Sequence, residues 1–309
     1  MSPDARSLLF REAPDEGRGA APRLKAAVIG AGMLGLDLAE RLNASPLLTC
    51  TLVAGRESSI SALRRAAQLG CDVSAEGVKA VTRADVDVVF DATTAEAHPA
   101  HWAALATSGV VLVDLTPSSG GSMVAPTVNG SRAETNRHLS LVSCAGQAVL
   151  PVLDEVAKHS TVDDVEVVTT VASASVGPAT RDNLDEYIAT TEYAVQRLTG
   201  ATRAKVMSTI SPALPAPAFR AQITVAACEI KAGPLVKGIE AAACEVRGFA
   251  PGYEISSLSV DHGLIRATVT VTARGHRLPP FAGNIEIINA AAVVLAERHA
   301  VARGRRTQS

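Results

Sequence analysis

The chain has 309 residues, enough for two domains with a buried core. Lys and Arg total 29 against 31 Asp and Glu, a formal charge of -2. This balance provides no general attraction for nucleic acid or an anionic membrane. Apolar residues make up 47% but aromatics only 3%, so the core is built of Ala, Val, Leu and Ile.

Residues 1–23 are rich in charge, Gly and Pro and lack a sustained apolar run. They read as a disordered tail rather than a signal peptide. From residue 24, apolar runs alternate with helical stretches. Strands are expected at 24–30, 48–55, 85–93 and 109–116, with helices at 33–43, 61–70 (closed by Gly70) and about 98–107. Continuous apolar strands separated by helices point to a parallel, doubly wound sheet over 24–143.

The stretch 139–153, LSLVSCAGQAVLPVL, reads as a strand, a tight corner and a helix starting at or just after Cys144. Beyond it the texture changes. Strands at 165–175, 221–230, 254–260 and 264–273 are β-branched and partly alternating, which suits a mostly antiparallel sheet. Helices are expected at 182–199, with Asp182 as cap and Gly200 as stop, and at 234–247. The plan is an α/β chain: a Rossmann domain (24–143), an α+β domain (144–283) and a C-terminal helix (284–309) packing back on the first domain. No stretch is long and clean enough to span a bilayer.

AVIGAGMLGLDLAERL places Gly30, Gly32 and Gly35 as G-x-G-x-x-G between a strand and a helix. The first glycine permits the turn, the second lets a pyrophosphate approach the backbone, and the third lets helix and strand pack closely. About twenty residues on, where an acid commonly holds the ribose, Gly55 and Arg56 stand. Arg56 pairs with a 2′-phosphate, stacks on adenine, or is a solvated loop residue; NAD and NADP both stay open.

Five scattered cysteines without C-x-x-C argue for a reducing compartment, taken as the cytoplasm, and against a disulfide framework or zinc site. Cys144 differs from the others because it stands at a helix N-terminus. There the dipole and free N–H groups lower a thiol pKa and stabilise an oxyanion at the Ala145 and Gly146 amides. A thiolate beside a nicotinamide suits aldehyde oxidation through an enzyme thioester. Read alone, a cysteine after a strand is equally a buried structural residue.

The signatures GAGMLGLDL, GRESSISALRRAAQLG, VFDATTAEAH, VVLVDLTPSS, LVSCAGQAVLPVL, SASVGPATRDNLDEYIATTEYAV and LPPFAGNIEIINAAA resemble the CoA-acylating acetaldehyde dehydrogenases. These typically partner a 4-hydroxy-2-oxovalerate aldolase. The resemblance spans about Leu24 to Ala300. It implies a glyceraldehyde-3-phosphate-dehydrogenase-like architecture, a homodimer through the second domain, NAD or NADP, and CoA as cosubstrate. It makes Cys144 the nucleophile, with Gln147 either kept for catalysis or a helix cap. Ala31, Gly32, Met33 and Leu34 form the cofactor loop. Ser175, Val176, Gly177, Pro178, Ala179, Thr180 and Arg181 form a second cofactor-contacting stretch, and Asn284 lies near the nicotinamide.

The chain departs from the family in three places. Ala179 replaces a family glycine, at a cost of about 1 kcal/mol if φ is positive there. TPSSGG replaces more apolar family residues near the expected substrate side, which suggests an altered substrate or acyl carrier. In SPALPAPAFRAQITV, Ala221 stands where the family has its acid/base Asp. A missing general base costs roughly 10²–10⁴ in rate. Glu229 and His262 are the candidate replacements. Two other readings remain: a reductase of another carbonyl or imine that does not use the thiol, and a weakened paralogue that binds an aldolase.

Overall fold

The computed structural model describes residues 23–306 apart from 276. The tail expected over 1–23 lies outside the described residues except at Arg23. There the guanidinium is tied to the domain, donating from Nε to the Leu48 carbonyl (2.6 Å) and from Nη2 to that of Asn43 (3.0 Å).

The first layer runs β1 (Leu24–Ile29), α1 (Met33–Ala44), β2 (Leu48–Ala54), α2 (Ile60–Ala67), β3 (Asp72–Ser74), α3 (Val78–Val81) and β4 (Val88–Asp91). It continues with α4 (His98–Leu105), β5 (Val111–Asp114), β6 (Ser122–Met123), α5 (Pro126–Asn129) and β7 (His138–Ser140). The strands form one parallel sheet in the order β3-β2-β1-β4-β5-β7-β6. Every residue of β4 and β5 is buried, as continuous apolar runs covered on both faces require. The chain leaves β1 toward one edge and returns at β4 to fill the other. The crevice at their C-terminal ends is therefore the topological switch point. β3 and β6 were not expected, since two or three residues at a sheet edge carry no periodic signal.

The second unit comprises α6 (Cys144–His159), β8 (Thr161–Ala172), α7 (Pro178–Asp182), α8 (Leu184–Thr199), β9 (Arg203–Ser211) and β10 (Phe219–Cys228). α9 (Ala232–Arg247), β11 (Tyr253–Asp261) and β12 (Leu264–Val271) complete it. Its sheet has the order β11-β12-β10-β8-β9. All pairs are antiparallel except β8–β9, joined in parallel through α8. β10 alternates buried and open residues, and its inner face (Phe219, Ile223, Val225) packs with Leu150 and Leu153 of α6 and Ile239 of α9. Gly200 ends α8 in the left-handed conformation (φ 74°). Asp182 does not cap that helix. It closes α7, and Asn183 intervenes with its Oδ1 accepting from the Ala95 amide (3.1 Å).

The final helix α10 (Gly283–Arg306) packs on both units rather than on the first alone. Ile288, Ala291, Ala292 and Leu295 enter the Rossmann core, while Ile287 and Ala290 enter the other. A helix with apolar residues at consecutive positions presents more than one buried face. Arg41 of α1 clamps it, bonded to Asp37 Oδ2 and Glu286 Oε2, each at 2.6 Å.

Candidate active site

The glycine loop joins β1 to α1 at the switch point. Gly30 has φ +110°, and a Cβ there would lie 2.5 Å from the Ala92 carbonyl oxygen; a Cβ on Gly35 would lie 1.9 Å from that of Gly30. Both are glycines because backbone occupies the space. Gly32 is different. It is exposed, with φ −71°, and a Cβ on it would meet nothing within 4 Å. That open approach to the amides at the start of α1 fits a dinucleotide pyrophosphate. Ala31 is buried, Leu34 is partly covered and Met33 is 46% exposed over the loop. Arg56 stands exposed just beyond the C-terminal end of β2, at the same edge of the sheet.

Cys144 begins α6. Before it, Val142 takes φ 63°, a conformation that β-branched residues rarely adopt. Gly146 accommodates this, because a Cβ there would come within 2.9 Å of Val142 Cγ1. Ser143 is the N-cap: its Oγ accepts from the Gly146 amide (2.9 Å) and lies 2.7 Å from Thr191 Oγ1. Thr191 donates to the Tyr187 carbonyl (2.6 Å), so the Ser143 hydroxyl donates to Thr191. The Gly146 N–H expected for an oxyanion is thus taken by the cap. The amides directed to the sulfur are those of Ala145 and Cys144 itself.

The thiol pKa is not lowered. Burial pushes it up to about 11, against hydrogen bonds from Tyr187 and the two amides that favour the thiolate. The helix N-terminus acts as expected but is outweighed by desolvation, although the residue keeps partial exposure. The sequence reading missed Tyr187, a 6% exposed residue of α8 whose Oη lies 3.6 Å from Cys144 Sγ. Its hydroxyl also lies beside Thr169 of β8, which is fully buried and whose Oγ1 donates to Ser208 Oγ (3.0 Å).

Ala221 is fully buried on β10, directly across from Thr169. Neither Glu229 nor His262, the expected replacements for an acid at 221, is nearby. Glu229 bonds Thr161 Oγ1, just past the C-terminal end of α6. His262 sits in the β11–β12 turn, 93% exposed, next to Gly263, whose carbonyl accepts from Ala227. Sixteen helical residues, roughly 22 Å, separate that end of α6 from Cys144.

Gln147 neither caps the helix nor faces the thiol. Its Nε2 donates to the carbonyls of Val124 and Leu141, 2.8 Å each, and so fixes α6 against the segments that precede it. In the stretch 175–181, expected to make a second cofactor contact, Ser175 and Val176 are buried, Gly177, Pro178 and Thr180 are exposed, and Arg181 donates to Ser173 Oγ (2.8 Å). Ala179 lies within α7, where helical backbone has negative φ, so the strain anticipated for a non-glycine does not arise. Asn284 donates to the Ser175 carbonyl (3.2 Å), and its buried Oδ1 has no partner among the described residues. An orphaned acceptor joining α10 to this stretch fits a bound carboxamide.

A second unforeseen group lies at the C-terminal ends of β4 and β5. His98 Nδ1 is 2.9 Å from Asp91 Oδ2 and 3.3 Å from Asp114 Oδ1, and its Nε2 meets His138 Nε2 at 2.8 Å. His101 shares Asp91 Oδ2 at 2.8 Å, and Trp102 stacks on the His138 ring. Burial opposes ionisation of Asp91, but the two imidazoles hold it at about 2. Burial raises Asp114 to about 6. Burial and the His98 charge lower His138 to about 4. The TPSSGG segment serves this group: Ser118 donates to Asp114 Oδ2, and Gly121 leaves room for His138. Aspartates closing two successive parallel strands were the available signal for this group.

Comparison with known proteins agrees with this geometry. Residues 144–279 match the family described as prokaryotic acetaldehyde dehydrogenase, dimerisation, and residues 25–136 match semialdehyde dehydrogenase, NAD binding domain. The acetaldehyde dehydrogenase of Streptomyces griseus subsp. griseus is 46% identical over 280 residues, covering 90% of this chain and 91% of the relative. Acetaldehyde dehydrogenase 2 of Salinispora arenicola is 40% identical over 281 residues, covering 89% and 95%. The fold is shared with a probable aspartate-semialdehyde dehydrogenase from Pseudomonas aeruginosa (TM-score 0.66, 16% identity, 89% and 98% covered). A thiol at the start of α6, an open glycine loop and matches at this level over nine-tenths of the chain lead to one conclusion: the chain belongs to the acetaldehyde dehydrogenase family, with an NAD-binding domain of the semialdehyde dehydrogenase type and a dimerisation domain that begins at Cys144.

Proposed function

We propose that this chain interconverts a short aldehyde and its CoA thioester through Cys144, using NAD. The observation that carries the reading is the placement of Cys144 at the head of α6, packed against both hydrophobic cores. The sulfur adds to the aldehyde carbon, and the Cys144 and Ala145 amides stabilise the resulting oxyanion. NAD, when bound, supplies the hydride acceptor. The amides at the start of α1 would hold its pyrophosphate and Asn284 Oδ1 its carboxamide. Loss of hydride from the thiohemiacetal leaves an acyl thioester on Cys144, which the thiol of CoA attacks to free the enzyme. The homodimer would work in the reducing cytoplasm and take its aldehyde from a 4-hydroxy-2-oxovalerate aldolase; gel filtration of the two purified proteins tests that association.

The test of the reaction is nicotinamide reduction with a panel of short aldehydes, NAD⁺ or NADP⁺, with and without CoA, for wild type and Cys144→Ser. Turnover that needs CoA and vanishes in the variant is the expected result. Turnover that survives Cys144→Ser would overturn it.

A further inference from the structure

We propose that Tyr187 is a catalytic residue of this chain, its hydroxyl donating to the Cys144 sulfur in place of the carboxylate that Ala221 does not provide. The proposal rests on the thiol reading above. The Tyr187 oxygen lies 3.6 Å from Sγ, within reach of a hydrogen bond to sulfur; Tyr187 is buried and Cys144 keeps partial exposure. Of the elements around the thiol, α8 contributes Tyr187, β8 Thr169 and β10 Ala221, while Val269 of β12 flanks Ala221. Among these only Tyr187 is ionisable. Thr169 and Ala221 face each other across the β8–β10 ladder, and opposed residues of an antiparallel pair point to the same side. The Tyr187 hydroxyl, which lies beside Thr169, therefore stands beside the position from which a carboxylate at 221 would act.

The substitution changes the chemistry as well as the residue. A carboxylate accepts the thiol proton, whereas a buried phenol, held well above its ordinary pKa, stays protonated, so it donates to the sulfur and does not take that proton. The Cys144 proton therefore leaves to a solvent base, and the O–H of Tyr187 remains on its oxygen while bonding the thiolate. When the sulfur adds to a carbonyl, the S–C bond forms and the C=O π pair moves to oxygen. With the thiol at about 11, roughly one site in a thousand is ionised at pH 8, so reactivity rises about tenfold per pH unit through the neutral and mildly alkaline range.

The test is alkylation of Cys144 by iodoacetamide in the full-length protein, followed by mass spectrometry of its peptide from pH 6 to 10. No aldehyde or CoA is present. The expected wild-type profile climbs without a plateau below pH 9. Tyr187→Phe should be alkylated roughly ten- to hundredfold more slowly at each pH, the worth of a hydrogen bond to a charged group. 3-Fluorotyrosine at position 187, an isosteric and stronger donor, should speed alkylation, and it decides the matter if Tyr187→Phe does not fold. Unchanged or faster alkylation in the folded Tyr187→Phe variant overturns the proposal. CoA-dependent turnover that is indifferent to Tyr187→Phe would overturn Tyr187 and leave the acylating reaction standing. Slowed alkylation in a protein that CoA does not turn over would retain Tyr187 and remove the CoA reading.

Discussion

The two glycines of the dinucleotide loop make a discriminating pair. In Gly35→Ala the new Cβ falls 1.9 Å from the Gly30 carbonyl oxygen and 3.3 Å from Val28 Cγ1. Relief of the first contact moves α1 away from β1 by more than an ångström, and nothing flexible is available to give instead. Overpacking of this kind costs about 2 kcal/mol, or roughly 4–8 °C in Tm for a unit of this size. In Gly32→Ala the backbone already suits an L residue and the methyl meets nothing within 4 Å, so Tm should stay within about 2 °C of wild type. That methyl nevertheless projects where the pyrophosphate must approach. NAD binding should weaken at least about tenfold, equivalent to 1.4 kcal/mol. Thermal unfolding without cofactor and fluorescence titration with NADH measure the two effects separately. Wild-type NADH affinity in Gly32→Ala, or equal loss of stability in both variants, would refute the reasoning.

Ser143→Ala removes the cap of α6 and should cost about 1 kcal/mol in chemical denaturation, with Cys144 less reactive toward iodoacetamide because the amides at the helix start are less firmly held. Arg41→Met leaves Asp37 and Glu286 buried without their cation; a loss of about 3 kcal/mol, read by urea unfolding, is expected, and an unchanged midpoint would show that the clamp contributes nothing. The two histidines contribute to stability with opposite pH dependence. His98 is raised, because Asp91 and Asp114 outweigh its burial, so its contribution is present below 6.5 and lost as pH rises through its folded value. His138 is lowered to about 4, so the unfolded chain gains a proton that the fold refuses as pH falls from 6.5 toward 4, and stability drops across that window. Asp114, raised to about 6, takes up a proton in the fold over the same window and offsets that loss; the test is therefore the difference, and His138→Gln should gain stability relative to wild type, read by unfolding midpoints, as pH falls from 6.5 to 4.

By itself the sequence determined what depends on neighbours along the chain. Continuous apolar runs marked the buried parallel strands, the glycine spacing marked a strand–turn–helix that admits a pyrophosphate, and the strand before Cys144 placed the thiol at a helix start. β9 escaped because a strand open on both faces leaves no periodic apolar signal: in Arg203–Ser211 only Val206 is buried. The chemistry of the site was settled by what folding brings together. Tyr187 reaches Cys144 from 43 residues away, and His138 reaches His98 from 40. Burial, a property of the whole fold, raises the thiol pKa that the helix terminus alone would lower. Local pattern carries hydrophobicity and backbone freedom, whereas desolvation and hydrogen-bond partnership arise only when distant segments close around the same atom.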